Sequence, residues 1–134
     1  RDEAKSQIRD LKLQIEGMDI DKKAILAAKD NAREAGLEKD IFFQEMEFNR
    51  VMLKEKKGFL ITNPPYGERL GDEEEVKTLS ADMGKLYLQN PGWSFYVISG
   101  FENFEAQFQR KSNKNRKLYN GNLKCYYYQF DSKW

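Results

Sequence analysis

Two prolines and a glycine fall within five residues in Asn63-Pro64-Pro65-Tyr66-Gly67, directly after an apolar run, Gly58-Phe59-Leu60-Ile61-Thr62. Proline fixes φ and donates no backbone hydrogen bond, so this stretch excludes helix and sheet and sets the path of a loop. The run before it reads as a short strand buried on both faces, and such strands belong to parallel sheets.

The rest of the chain alternates in the same manner. Leu11, Leu13 and Ile15 alternate with polar neighbours in a strand from Leu11 to Ile20 that leads into a turn at Gly17 and Asp19. Asp21 is placed to cap a helix whose face is Ile25, Ala28, Ala32 and Ala35, and Gly36 to end it. Ile41, Phe42 and Phe43 form a second short strand. After the proline loop, Val76, Leu79, Met83 and Leu86 mark a helix from about Glu73 to Leu88, broken by Asn90-Pro91-Gly92. Trp93 to Ser99 is a fourth strand, and Phe101, Phe104 and Phe108 suggest a short helix or turn. Lys117-Leu118-Tyr119 and Leu123 to Phe130 flank Asn120-Gly121, a hairpin signal. Strand and helix alternation closed by an antiparallel pair predicts a doubly wound α/β sheet of one domain, with ligands at the carboxyl ends of its strands. The loops after Ile20 and Thr62 are therefore the candidate site.

Composition excludes several chemistries. The chain has no His and one Cys, Cys125, which rules out a catalytic triad, a His base and a Cys/His zinc site. A lone Cys in an aromatic strand reads as a small buried hydrophobe, and it fits a reducing cytoplasm. No apolar run is long enough to span a membrane. With 23 basic and 22 acidic residues, the net charge of +1 steers no polyanion, so any nucleic-acid contact must come from a local patch. The start at Arg1-Asp2-Glu3 reads as a cut inside a helix.

The proline loop suits methyl transfer to an aromatic amine, whose lone pair is delocalised into its ring. Two acceptors, the Asn63 side-chain carbonyl and the Pro64 backbone carbonyl, can take hydrogen bonds from the N–H groups and stabilise the charge that develops on nitrogen. Pro64 and Pro65 keep the acceptors rigid, Tyr66 can stack on an extruded base, and Gly67 admits close backbone approach. No strong base is needed, because the amine sheds its proton after transfer. The bland reading is a rigid turn with an exposed aromatic. Asp19, at a strand's carboxyl end, can accept the ribose hydroxyls of a nucleoside cofactor, with Ile20 lining the adenine; Asp21 reads as a cap only. Among Glu68, Arg69 and Asp72, Arg69 is the candidate for a phosphate or base contact. Arg110 to Lys117 carries cations, Lys114 and Arg116 among them, that either contact phosphates or line a solvated loop; the stretch itself lacks interleaved aromatics. Tyr126, Tyr127 and Tyr128 alternate across a strand and read as core more than as a stacking platform.

The run Thr62-Asn63-Pro64-Pro65-Tyr66-Gly67-Glu68-Arg69-Leu70-Gly71 resembles the signature of bacterial ribosomal RNA large-subunit methyltransferases that modify guanine at its exocyclic amine. Gly17-Met18-Asp19-Ile20-Asp21, Asn31-Ala32-Arg33-Glu34-Ala35-Gly36 and Arg116-Lys117-Leu118-Tyr119-Asn120-Gly121-Asn122-Leu123 agree with it. Asn-Pro-Pro-Tyr alone is shared with adenine, cytosine and glutamine amide methyltransferases; the Gly-Glu-Arg-Leu-Gly extension narrows the resemblance. It implies a Rossmann-like class I methyltransferase sheet, S-adenosylmethionine as cofactor and ribosomal RNA as partner, with no metal. Asp19 would hold the cofactor's ribose, Asn63, Pro64 and Tyr66 the base, and Asn63 would border both. Family members carry an upstream THUMP domain and a glycine-rich first strand, neither of which this sequence contains. They also place an acidic residue against the cofactor adenine, for which Gln44-Glu45-Met46-Glu47 offers Glu45 or Glu47. On that resemblance, residues 1–134 are the C-terminal portion of one catalytic domain, left with a hole where the first strand belongs and expected to bind cofactor poorly alone. An adenine methyltransferase acting on DNA or RNA, and a non-catalytic RNA-binding remnant, remain as alternative readings.

Overall fold

The computed structural model describes residues 13–65 and 72–133, which form two compact units, Arg1–Arg50 and Val51–Trp134. In the first unit, β1 (Ile15–Asp19) runs parallel to β2 (Ile41–Glu45), joined by α1 (Lys22–Glu34). The Asp21 carboxylate accepts a hydrogen bond from the Lys23 amide at 2.9 Å, as an N-cap should. At the other end Gly36 takes φ +75°, so that the Leu37 amide reaches back to the Ala32 carbonyl at 2.8 Å and satisfies the last turn. Ile25 and Ala32 of the expected apolar face are buried; Ala35, the helix C-cap, is exposed. The strand expected from Leu11 to Ile20 is confined to Ile15–Asp19 among the described residues.

The second unit holds β3 (Gly58–Thr62), α2 (Glu73–Gln89), β4 (Trp93–Ser99), α3 (Phe104–Phe108), β5 (Lys114–Asn120) and β6 (Leu123–Phe130). Its sheet has the order β3-β4-β6-β5; β3 and β4 are parallel, while β6 is antiparallel to both neighbours. The parallel pairs therefore come first and the antiparallel strands last. Among the described residues, β1 pairs only with β2 and β3 only with β4, so each keeps an open edge.

β3 departs from the expected strand buried on both faces. Phe59 and Ile61 are 71% and 77% exposed, because β3 is an edge strand and no described helix covers that side. Tyr96 of β4 meets Phe59 there, ring to ring at 6.1 Å. The hairpin differs too. Gly121, at φ +65°, is the first of two loop residues, with Asn120 paired to Leu123, so the turn lies one residue later than Asn120-Gly121 suggests. The cationic run from Lys114 to Lys117 is strand, not loop.

The core of this unit is aromatic. Phe108 stacks on Phe130 at 4.0 Å, and Tyr87 meets Phe95 edge-on at 5.3 Å. Phe104 stacks on Tyr128 at 5.1 Å. The Tyr87 hydroxyl donates to the Asp131 carbonyl, tying α2 to the chain just beyond β6. Burial pushes the Tyr128 phenol up to about 12, with Glu105 and Tyr126 adding to the effect. Burial also raises Tyr87, against the Arg110 guanidinium that lies 5.5 Å from its ring. Because these phenols ionise later in the fold than in the unfolded chain, where tyrosine titrates near pH 10, their contribution is fully present below about pH 10; that of Tyr128 is lost as pH rises through about 12, and that of Tyr87 is lost in the same direction. An ultraviolet titration should resolve a late-ionising class among the seven tyrosines, with unfolding following it. Simultaneous ionisation of all seven near pH 10 in a folded protein would contradict this packing.

Candidate functional site

The two loops singled out by the sheet arrangement lie one in each unit. At the carboxyl end of β1, Asp19 stands opposite Glu45, the last residue of β2. The Met46 amide donates to the Asp19 carbonyl at 3.0 Å, which holds the two strand ends together. One Asp19 carboxylate oxygen accepts from the Asp21 amide at 2.8 Å; its other oxygen has no hydrogen-bond partner among the described residues. Ile20 is 66% exposed, an apolar side chain held in solvent between two aspartates. Glu47 is exposed two residues past β2, its carbonyl engaged by the Arg50 amide at 3.0 Å. This strand end thus collects an acceptor carboxylate, an apolar surface and two further carboxylates, a set able to accept hydrogen bonds from ribose hydroxyls and to face an adenine ring.

At the carboxyl end of β3, Thr62 hands over to Asn63, Pro64 and Pro65. Pro64 is buried and anchors the loop, while Asn63 and Pro65 are exposed. The Asn63 carboxamide makes no hydrogen bond with any described residue. It is an acceptor held on a rigid peptide and open to a ligand. Tyr66, Gly67, Glu68 and Arg69 lie outside the described residues. Asp72 sits just ahead of α2, whose first turn carries Glu73, Glu74 and Glu75.

Lys114 and Arg116 are exposed on β5. Their partners in register are Gln129 and Tyr127, so they occupy one face of the hairpin, while Lys117 pairs with Tyr126 on the other. Tyr128 is buried at 5% exposure and Tyr127 half-buried, in accord with the core reading of the strand; Tyr126 is half-buried toward the hairpin's outer end. Cys125 is a buried free thiol. Among the described residues no cluster of acidic or sulfur side chains is arranged to hold a metal, and no helix is long and apolar enough to cross a membrane.

Sequence reasoning passed over Tyr119 and Lys124. Tyr119 is 66% exposed with the Lys117 ammonium 5.6 Å from its ring, and Lys124 stands 5.7 Å from the Tyr126 ring. The signal was available in the hairpin, because a two-residue turn at Gly121-Asn122 sets Tyr119 opposite Lys124 and Lys117 opposite Tyr126.

The model of the family UPF0020, the RMKL-like methyltransferase domain, matches residues 1–129. Ribosomal RNA large subunit methyltransferase K/L of Syntrophotalea carbinolica is 41% identical over 120 residues, covering 86% of this chain and 17% of that protein. SMU.472 complexed with SAH, a solved structure, is 40% identical with a TM-score of 0.89, over 98% of this chain and 35% of that one. A predicted N6-adenine-specific DNA methylase from Listeria monocytogenes is 41% identical with a TM-score of 0.82, over 92% of this chain and 31% of that one. The chain thus spans about a third of these solved chains and less than a fifth of the K/L protein.

Proposed function

This chain belongs to the RMKL-like methyltransferase domain family, and on that premise we propose that it is the C-terminal portion of one catalytic domain that transfers a methyl group from S-adenosylmethionine to the exocyclic amine of guanine in ribosomal RNA. The observation that carries the proposal is the Asn63 carboxamide, which bonds to no described residue and is fixed by a buried Pro64 at the carboxyl end of a parallel strand. The similarity to a K/L ribosomal RNA methyltransferase supports the substrate, and the similarity to SMU.472 bound to SAH supports the cofactor.

S-adenosylmethionine, when bound, supplies an electrophilic methyl group. The protein's own part is positional and electrostatic. The free Asp19 oxygen accepts from the ribose hydroxyls, Ile20 covers one side of the adenine, and Glu47 is the candidate acceptor at its edge. Asn63, with the Pro64 carbonyl, accepts the two N–H groups of the target amine and favours a more tetrahedral nitrogen. Tyr66 stacks on the base. The nitrogen loses its extra proton to water after transfer. Gly67 and Arg69 border the base, and Lys114 and Arg116 engage RNA phosphates. Upstream THUMP and glycine-rich segments complete the enzyme, so these 134 residues alone bind cofactor weakly and transfer no methyl group. The setting is the cytoplasm, in keeping with a free buried Cys125.

The experiment is methyl transfer from labelled S-adenosylmethionine to unmodified ribosomal RNA by the intact protein, followed by nucleoside analysis. Label in N2-methylguanosine is the expected result. Label in N6-methyladenosine would establish the adenine reading, which the Listeria relative favours, and no label in any nucleic acid would remove the catalytic assignment. Asp19→Ala should weaken cofactor binding by about tenfold or more, since hydrogen bonds to a charged carboxylate are worth on the order of 1.5–3 kcal/mol. Calorimetry that finds unchanged affinity would take Asp19 out of the cofactor site.

A further inference from the structure

From Arg110 to Phe130 the chain carries six cations, Arg110, Lys111, Lys114, Arg116, Lys117 and Lys124, and no carboxylate. All 22 acidic residues lie outside this segment, so the near-neutral chain conceals a basic hairpin. Folding adds what the linear sequence lacks. On the outer half of one hairpin face, Lys117 stands directly across from Tyr126, and Tyr119 across from Lys124. Two lysines and two tyrosines therefore alternate in a square, with each ammonium near the ring of the tyrosine two residues along its own strand, at 5.6 and 5.7 Å.

The square continues an aromatic file that begins in the core. Phe130 is buried, Tyr128 packs against it at 6.4 Å, and Tyr126 follows Tyr128 at 5.8 Å. The file then reaches half-buried Tyr126 and, diagonally across the ladder, exposed Tyr119. Its inner end gives the two outer rings a rigid base.

We propose that Lys117, Tyr119, Lys124 and Tyr126 form a stacking platform for unpaired RNA, separate from the methyl-transfer loop and from the opposite hairpin face that carries Lys114 and Arg116. The RNA identity of the ligand rests on the function proposed above; the platform itself rests on the hairpin. Diagonal neighbours on a strand pair lie about 7–8 Å apart, close enough for nearby bases of one extended strand to stack on Tyr119 and Tyr126. Lysine side chains are long and flexible, so each ammonium can leave its ring to a base and turn to the adjoining phosphate. Duplex RNA hides its bases and cannot use the rings. The platform would seize the single strand beside the target nucleotide.

The test measures binding of a short fluorescein-labelled oligouridylate and of a duplex RNA by the intact protein, without cofactor. Tyr119→Ala combined with Tyr126→Leu should weaken oligouridylate binding about tenfold or more and leave duplex binding unchanged. Lys117→Gln with Lys124→Gln, which touches no core contact, should reduce the slope of log affinity against log salt by about 1.4. Wild-type oligouridylate affinity in both folded variants, or duplex bound as tightly as single strand, would overturn the platform. Loss of binding in these variants, in a protein that methylates no nucleic acid, would keep the platform and discard the proposed reaction. Methylation that depends on Asn63 but ignores all four hairpin residues, with unchanged oligouridylate binding, would do the reverse.

Discussion

Asn63→Ala in the intact protein should lower methyl transfer to ribosomal RNA by about 10²–10³-fold, the range observed when one preorganised group facing developing charge is removed. In the proposed reaction the amine nitrogen gains positive charge only as the methyl group arrives, so the Asn63 acceptor would strengthen toward the transition state and contribute little to holding the ground-state base. kcat and kcat/KM should therefore fall together, while RNA and cofactor affinities stay near wild type. Stability should scarcely change, because the Asn63 side chain is exposed and bonds to no described residue. Steady-state kinetics with binding measured separately checks each part. A variant with normal kcat and raised KM would make Asn63 a binding residue, and one with wild-type kinetics would reduce the loop to a rigid turn.

Gly84→Ala should cost more stability than the same change at Gly17, Gly36, Gly58 or Gly121, because only there does the added methyl group meet backbone atoms. Gly84 lies buried in α2, and a Cβ built there would fall 2.1 Å from the Phe108 carbonyl oxygen and 2.9 Å from its carbon. Both obstructing atoms are backbone, so no side-chain rotation relieves the clash. The obstructing residue is itself held by the stack of Phe108 on Phe130 and by Gln109, which ends α3 at φ +66°. Alanine favours an exposed helix over glycine by about 1 kcal/mol, but overpacking a tight core costs about 1–3 kcal/mol and more where backbone must move. The net destabilisation should be about 2 kcal/mol, a fall in Tm on the order of 10 °C for a chain of this size. Thermal unfolding followed by circular dichroism measures it. An unchanged or higher Tm would mean that α2 and α3 do not approach as closely as described.

Much of the architecture was legible because local signals are strong where they occur. Asp21 and Gly36 bound α1 as a cap and a left-handed glycine do anywhere, and Asn90-Pro91-Gly92 ends α2 for the same kind of local reason. β3 and β4 were readable to the residue, since short apolar runs bounded by turn formers have few alternatives. The end of α3 was not, because Gln109 adopts a left-handed conformation that usually announces itself with glycine. β5 was read too short, since a run of lysine, asparagine and arginine has little strand propensity of its own and is strand only because β6 supplies its hydrogen bonds.

The amino-acid sequence alone determined the identity of the reactive groups: which acceptors exist, where prolines stiffen them, and that no histidine can serve as a base. Those are properties of residue type and of neighbours one to four positions apart, and folding does not alter them. Tertiary structure decided which groups meet. It set Asp19 opposite Glu45, left Phe59 and Ile61 exposed on an edge strand, brought Gly84 against the Phe108 carbonyl, and interleaved Lys117 and Lys124 with Tyr119 and Tyr126. The physical reason is that each of these relations joins different elements, so it follows from strand order, register and close packing, which depend on the whole chain's burial of its apolar surface and not on any short stretch of it.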